Sequence, residues 1–228
     1  MVSALRLACC LSYGARRALG KALIPLLFAI SGAAAAETTE IVALGDSLTA
    51  GYGLAEGEGF VPQLQGWLVA NGLDVRVVNA GVSGDTTAGG LSRLDWSLTP
   101  ETDVLIVALG GNDLLRGLDP GMSRSNLDAI LTTATARGLK VLLVGLPGPA
   151  NYGPDWKAEF DAIFPDLAAK HGVAMEPNFM AGLAEAAGGT DPATIRPLMQ
   201  ADGIHPNSEG VKAIVGYLGP KLRDLLAN

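Results

Sequence analysis

Val104-Leu105-Ile106-Val107-Ala108-Leu109 is followed at once by Gly110-Gly111-Asn112-Asp113. Six apolar residues without polar alternation read as a β-strand covered on both faces, and the small and polar residues behind it read as a turn. Strands of that kind belong to parallel sheets flanked by helices, so the rest of the chain can be laid against this one. Upstream, residues 40–44 (EIVAL) form a similar run ended by Gly45, and residues 75–78 (VRVV) form another with one charge, Arg76. Downstream, residues 141–144 (VLLV) and the short segment 173–175 complete five strands. Between them helices are predicted over 60–69, stopped at Asn71-Gly72, over 88–98, closed off by Pro100, and over 124–136, ended at Arg137-Gly138. Two more are predicted over 154–170 and 210–226. Pro154 suits the first turn of its helix, whereas Pro165 should kink or divide it. Residues 176–200, with three prolines and paired glycines, read as loops with short helices. Such alternation implies one α/β domain, a parallel sheet with helices on both sides.

The chain has 228 residues, 49% hydrophobic and 17% charged, too apolar and too weakly charged for a disordered polypeptide. A formal charge of −7 argues against nucleic acid as a partner, because phosphate binding needs clustered Lys and Arg. Residues 1–36 stand apart. Arg6, Arg16, Arg17 and Lys21 precede any acid, residues 22–30 (ALIPLLFAI) are too short to span a bilayer, and Ala34-Ala35-Ala36 offers small residues for cleavage before Glu37. This segment reads as a secretory signal peptide, with an uncleaved anchor as the alternative. Arg16-Arg17 hints at a twin-arginine route without the fuller motif. Cleavage would remove four basic residues, taking the charge from −7 to −11, and would remove both cysteines, Cys9 and Cys10. The mature domain, residues 37–228, would then have no thiol for a disulfide, a metal site or a nucleophile. No later apolar run reaches the roughly 18 residues of a membrane span.

In a parallel α/β sheet, ligands bind outside the carboxyl ends of the strands. Ser47 follows the first strand in Gly45-Asp46-Ser47-Leu48, where a strand-to-helix turn can expose a hydroxyl. Equally, Asp46 or Ser47 could simply cap the next helix. Gly84 lies in Ser83-Gly84-Asp85 after the second strand, and Asn112 follows the third. A glycine amide can approach a substrate oxygen closely and an asparagine can offer its NH₂, although both residues also mark ordinary turns. The chain has two histidines. His171 precedes Gly172 at a predicted helix end, where a cation meets the dipole favourably and a structural role suffices. His205 stands in Asp202-Gly203-Ile204-His205-Pro206, kept extended by Pro206, at a spacing that lets Asp202 accept from one imidazole nitrogen. Ser47, Asp202 and His205 could thus form a nucleophile, orienting acid and base, with the Ser47 and Gly84 amides and Asn112 as oxyanion donors. G-x-S-x-G is absent, which disfavours an elbow of the α/β-hydrolase type.

Together these clusters resemble the signature blocks of the SGNH (GDSL) hydrolase superfamily, whose Ser, Gly, Asn and His match Ser47, Gly84, Asn112 and His205 and whose acid matches Asp202. Within it the chain is similar to the bacterial thioesterase I / lysophospholipase L1 / arylesterase branch, also through Pro149-Ala150-Asn151-Tyr152-Gly153 and Asn79-Ala80. The resemblance implies a flavodoxin-like three-layer sandwich with a five-stranded parallel sheet. It also implies hydrolysis of esters and thioesters without metal or other cofactor. In that branch the loop matching residues 145–153 helps cover the acyl chain, yet Gly148 between Pro147 and Pro149 departs from the thioesterase I pattern.

The expected function is therefore that of a serine hydrolase acting through an acyl-enzyme on Ser47. Aryl and short-acyl esters, lysophospholipids and acyl thioesters are the substrates considered. Leu146, Pro147 and Tyr152 are candidates for an apolar acyl site, or for ordinary loop packing. Asp46, Asn79, Asp85 and Asp113 are assigned to loop structure. A periplasmic location and a monomer are expected. The rivals are a deacetylase of cell-envelope polysaccharide and a non-catalytic module that binds a small ligand on the same fold.

Overall fold

The computed structural model describes residues 38–227. The predicted leader and both cysteines lie outside them. Five strands form one sheet: β1 (Thr39–Gly45), β2 (Val75–Gly81), β3 (Thr102–Ala108), β4 (Lys140–Val144) and β5 (Ala174–Glu176). Their order is β2-β1-β3-β4-β5 and every pairing is parallel. The three-layer α/β reading of the sequence is what the backbone adopts. After β1 come α1 (Ser47–Ala50) and α2 (Phe60–Ala70), and after β2 come α3 (Thr87–Ser92) and α4 (Leu94–Ser97). Then α5 (Gly111–Leu115) and α6 (Pro120–Ala136) follow β3, and α7 (Pro154–His171) follows β4. Past β5 the chain forms α8 (Ala181–Ala186), α9 (Pro192–Ile195) and α10 (Ser208–Ala227).

The sheet separates two apolar layers, because successive strand residues point to opposite faces. Ile41, Ala43, Val104, Ile106, Leu142 and Val144 pack with Phe60, Leu64 and Leu68 of α2 and Ile214, Val215 and Leu218 of α10. Their neighbours Val42, Leu44, Leu105, Val107, Val141 and Leu143 pack with Leu127, Ile130 and Leu131 of α6 and Phe160, Ile163 and Phe164 of α7. Burial on both faces is why these strands read as unbroken apolar runs.

Two helices differ from the sequence expectation. Residues 88–98 form two short helices, parted at Arg93, whose side chain turns back to the strand ends instead of continuing a helical face. Conversely, α7 continues through Pro165 undivided. Pro165 is exposed, on the side where water can satisfy the freed carbonyl, while Ile163, Phe164 and Leu167 beside it are buried.

The register brings the carboxyl ends of the central strands level: Gly45 pairs with Gly81 on one side and with Ala108 on the other. The chain runs from β1 to β2 and then returns to place β3 on the other side of β1, so the order reverses between β1 and β3. A crevice at such a switch point is where parallel sheets bind ligands.

Candidate active site

Gly45 ends β1 and the chain turns directly into α1. The turn is tight enough that a Cβ on Gly45 would lie 2.0 Å from Thr49 Oγ1. Asp46 caps α1, its Oδ1 accepting from the Leu48 amide at 3.0 Å. Ser47 is the first helical residue, where an amide has no acceptor within its own helix.

Opposite it, Met199 and Pro206 form an antiparallel bridge that closes a loop around Gly203, whose φ is +68°. Gln200 ties this loop down. Its amide donates to the His205 carbonyl at 2.8 Å, and its Nε2 donates to the carbonyls of Tyr52 and Pro206 at 2.8 and 3.0 Å. His205 is thereby aimed so that Nε2 lies 2.8 Å from Ser47 Oγ and Nδ1 lies 2.6 Å from Asp202 Oδ2. An ionised carboxylate can only accept, so Nδ1 carries the proton and Nε2 is left to accept the Ser47 hydroxyl hydrogen. Asp202 Oδ1 also accepts from the amides of Ile204 and His205, at 2.9 and 3.0 Å. The His205 amide and imidazole, with the Ile204 amide, hold this exposed carboxyl down to about 2. The Tyr52 ring lies against the imidazole, centroids 4.7 Å apart.

From β3, Gly110 at φ +112° starts α5 and brings Asn112 to Asp46, the residue before Ser47. Asn112 Nδ2 donates to the Asp85 carbonyl at 2.8 Å and lies 3.4 Å from Asp46 Oδ2. Asp113 is buried next to it and accepts from the Thr87 amide and hydroxyl and from Ser123 Oγ, at 2.9, 2.6 and 2.9 Å. It ties α3 and α6 to α5. Arg93 does the same for the strand ends, donating to the carbonyls of Gly45 and Ala80 at 2.8 and 2.7 Å and to Asp85 Oδ2 at 2.6 Å. Gly84, at φ +86°, lies on the loop between, and its carbonyl accepts from Arg116 Nη2 at 2.8 Å.

A cleft of about 270 Å³ opens at Ser47 and His205, walled by Leu114, Leu115, Leu146, Pro147, Met180 and Ile204. Asp46, Asn112 and Asn178 also line it, while Gly84 and Tyr152 are not among its lining residues. Tyr152 instead donates from its hydroxyl to the Leu115 carbonyl at 3.2 Å and packs on Trp156, supporting the cleft wall from behind. Asp46 is 3% exposed, and burial pushes its carboxyl up to about 6 against the lowering pull of the Leu48 amide and His205.

The structure thus brings Ser47, His205, Asp202, Asn112, Leu146 and Pro147 to one rim. Sequence reasoning missed the rest of the wall. Leu114 and Leu115 were visible as an apolar pair directly behind Asn112-Asp113, and Ile204 inside the Asp202-to-His205 turn. Asn178 and Met180 left no signal, since they come from a segment without periodicity. Arg93 left one, a basic residue in the middle of a predicted helix.

Comparison with known proteins places the chain in a family. Residues 43–213 match the GDSL-like Lipase/Acylhydrolase family. The chain is 42% identical over 194 residues to the esterase TesA of Pseudomonas aeruginosa, covering 85% of this chain and 91% of that protein. It is 35% identical over 208 residues to thioesterase 1/protease 1/lysophospholipase L1 of Escherichia coli (strain K12), covering 89% and 93%. The crystal structure of the psychrotrophic esterase EstA from Pseudoalteromonas sp., inhibited by monoethylphosphonate, superposes with a TM-score of 0.73 at 32% identity, over 83% of this chain and 100% of that one.

Proposed function

The chain belongs to the GDSL-like lipase/acylhydrolase family, and we propose that it hydrolyses carboxylic esters and thioesters through an acyl-enzyme on Ser47. The observation that carries the reading is the relay from Asp202 through His205 to the Ser47 hydroxyl, opening on an apolar cleft. Ser47 Oγ attacks the acyl carbonyl while His205 Nε2 takes its proton. Asp202 keeps the other proton on Nδ1 and stabilises the imidazolium. The oxyanion is met by the Ser47 amide and by Asn112 Nδ2, whose long contact to Asp46 it replaces, with the Gly84 amide as third donor from outside the cleft lining, on the loop that Asn112 already holds through the Asp85 carbonyl. One such donor can be worth about 10²–10³ in turnover. Collapse expels the alcohol or thiol, protonated by His205, and water repeats the sequence to release the acid.

The cleft favours an acyl group over a sugar. Its walls are mostly Leu, Ile, Met and Pro, which match an aliphatic chain and, away from the reacting groups, leave a polysaccharide few hydrogen-bond partners beyond Asn178. Residues 1–36 act as a cleaved secretory leader in this proposal, delivering residues 37–228 to the periplasm; Edman sequencing of the exported protein should begin at or near Glu37. Hydrolysis of p-nitrophenyl acetate, butyrate and octanoate and of palmitoyl-CoA tests the activity. Wild type should cleave esters and thioesters, and Ser47→Ala should cleave none. Activity surviving unchanged in Ser47→Ala would remove Ser47 from the mechanism.

A further inference from the structure

In the run Pro147-Gly148-Pro149, beside the cleft, Gly148 supplies the only backbone N–H, because proline has none. That N–H donates to Asp161 Oδ1 at 2.6 Å, and the Gly148 carbonyl accepts from Lys157 Nζ at 2.6 Å. Lys157 and Asp161, one turn apart on α7, are themselves paired at 2.7 Å. A single ion pair thus grips both polar groups of one residue. A side chain here would crowd the grip: a Cβ on Gly148 would lie 3.1 Å from Asp161 Oδ1 and 3.4 Å from ring atoms of Phe160 and Trp156.

Both charges are 38% exposed, and an ion pair this wet contributes little stability by itself. Hydrogen bonds to charged groups are shorter and stronger than neutral ones, and here they hold the N–H and the C=O of the same residue, so the pair fixes backbone geometry more than it adds stability. What it fixes is the cleft wall. Leu146 and Pro147 immediately precede Gly148, and Leu146 Cδ1 lies 3.3 Å from where a Cβ on Gly111 would stand, next to Asn112.

We propose that Lys157 and Asp161 are positioning residues that set the acyl-chain selectivity of the cleft by clamping Gly148 and thereby holding the Leu146–Pro147 wall. The inference rests on the ester-hydrolase reading above. An octanoyl chain extends along the wall and senses its position, whereas an acetyl group ends next to the carbonyl carbon and does not.

Steady-state kinetics on p-nitrophenyl acetate, butyrate and octanoate, with Lys157→Met, Lys157→Arg and Asp161→Asn, test it. Lys157→Met should raise KM for octanoate about tenfold, the scale on which an apolar pocket discriminates small changes in fit. Its kcat/KM on acetate should stay within about twofold, which also reports an intact fold. Lys157→Arg, keeping charge and donors, should restore most of the octanoate KM. Asp161→Asn, which keeps an acceptor for Gly148 but not the ion pair, should fall between. An unchanged octanoate-to-acetate ratio in Lys157→Met, or a loss by the same factor on all three esters, overturns the clamp while leaving the hydrolase reading intact. A wild type inactive on all three esters overturns both.

Discussion

His205 Nδ1 lies 2.6 Å from Asp202 Oδ2, and His171 Nε2 lies the same 2.6 Å from Asp128 Oδ1. Both imidazoles are largely buried. The two pairs part company in what surrounds the contact. At His205 the far nitrogen meets the Ser47 hydroxyl, Asp202 is held otherwise by two amides, and the buried carboxyl of Asp46 stands close. At His171 the carboxylate is shared with Lys170 Nζ, which reaches both oxygens at 2.7 Å, and the cluster joins α6 to the end of α7. A well-made imidazole–carboxylate bond is therefore not a catalytic signature. Only a nucleophile on the other nitrogen, beside a cleft, turns the pair into a relay.

The sharpest way to break the comparison is to remove each ring. His205→Ala should lower kcat on p-nitrophenyl butyrate by about 10⁶-fold, the scale of losing the base from a serine triad. His171→Ala should leave kcat within about twofold. Equal losses would mean that the distinction drawn between the two sites is wrong.

Asp202→Asn comes next. It permits the wrong imidazole tautomer and should cost roughly 10³–10⁴ in kcat with KM little changed. Asp128→Asn, measured alongside, should leave both constants alone.

Asp46→Asn sharpens the contrast further, because it removes the buried charge that stands by His205. Above pH 6 the ionised Asp46 favours the imidazolium formed as Ser47 attacks, so the variant should lose about tenfold in kcat at pH 8 and less at pH 5. Stability should move the other way. A carboxyl raised from 3.8 to about 6 by burial binds its proton more tightly in the folded state. Its contribution is full below pH 4 and lost as pH rises through 6, by about 3 kcal/mol. Asp46→Asn, free of that loss, should therefore unfold at a higher temperature than wild type at pH 8 and at nearly the same temperature at pH 4.

The smallest effect belongs to Asp128→Asn on thermal unfolding, about 1 kcal/mol at pH 7. Lys170 and His171 hold this carboxyl below its ordinary value, so its stabilisation is present above about pH 4 and is lost as pH falls further. The variant should match wild type more closely as the acid limb is approached.

Much of this was legible in the chain. The apolar runs at 40–44, 104–109 and 141–144 are buried on both faces, and that burial is visible as missing alternation. Ser47 and Asn112 were legible because both follow such runs directly. His205 stood out because there are two histidines and the other closes a helix. Other features left no local trace. Tyr152, a candidate for the acyl site, braces Leu115 from outside, and nothing in its neighbours in sequence foretells that side. The break at Arg93 comes from carbonyls at Gly45 and Ala80, 48 and 13 residues away. Met180 reaches the cleft because β5 is at the edge of the sheet and the chain folds back from it across β4, with the Phe179 amide on the Gly145 carbonyl at 2.8 Å.

Sequence by itself determined the layers, the order of strands and helices along the chain, and the residue types able to do acyl-transfer chemistry, because periodicity and turn propensity are local properties. The tertiary structure alone decided which carboxyl is buried and proton-hungry, which walls face the substrate and what grips Gly148. Each of those depends on desolvation or on bonds between segments distant in the chain, and such distances exist only once the sheet has brought the segments together.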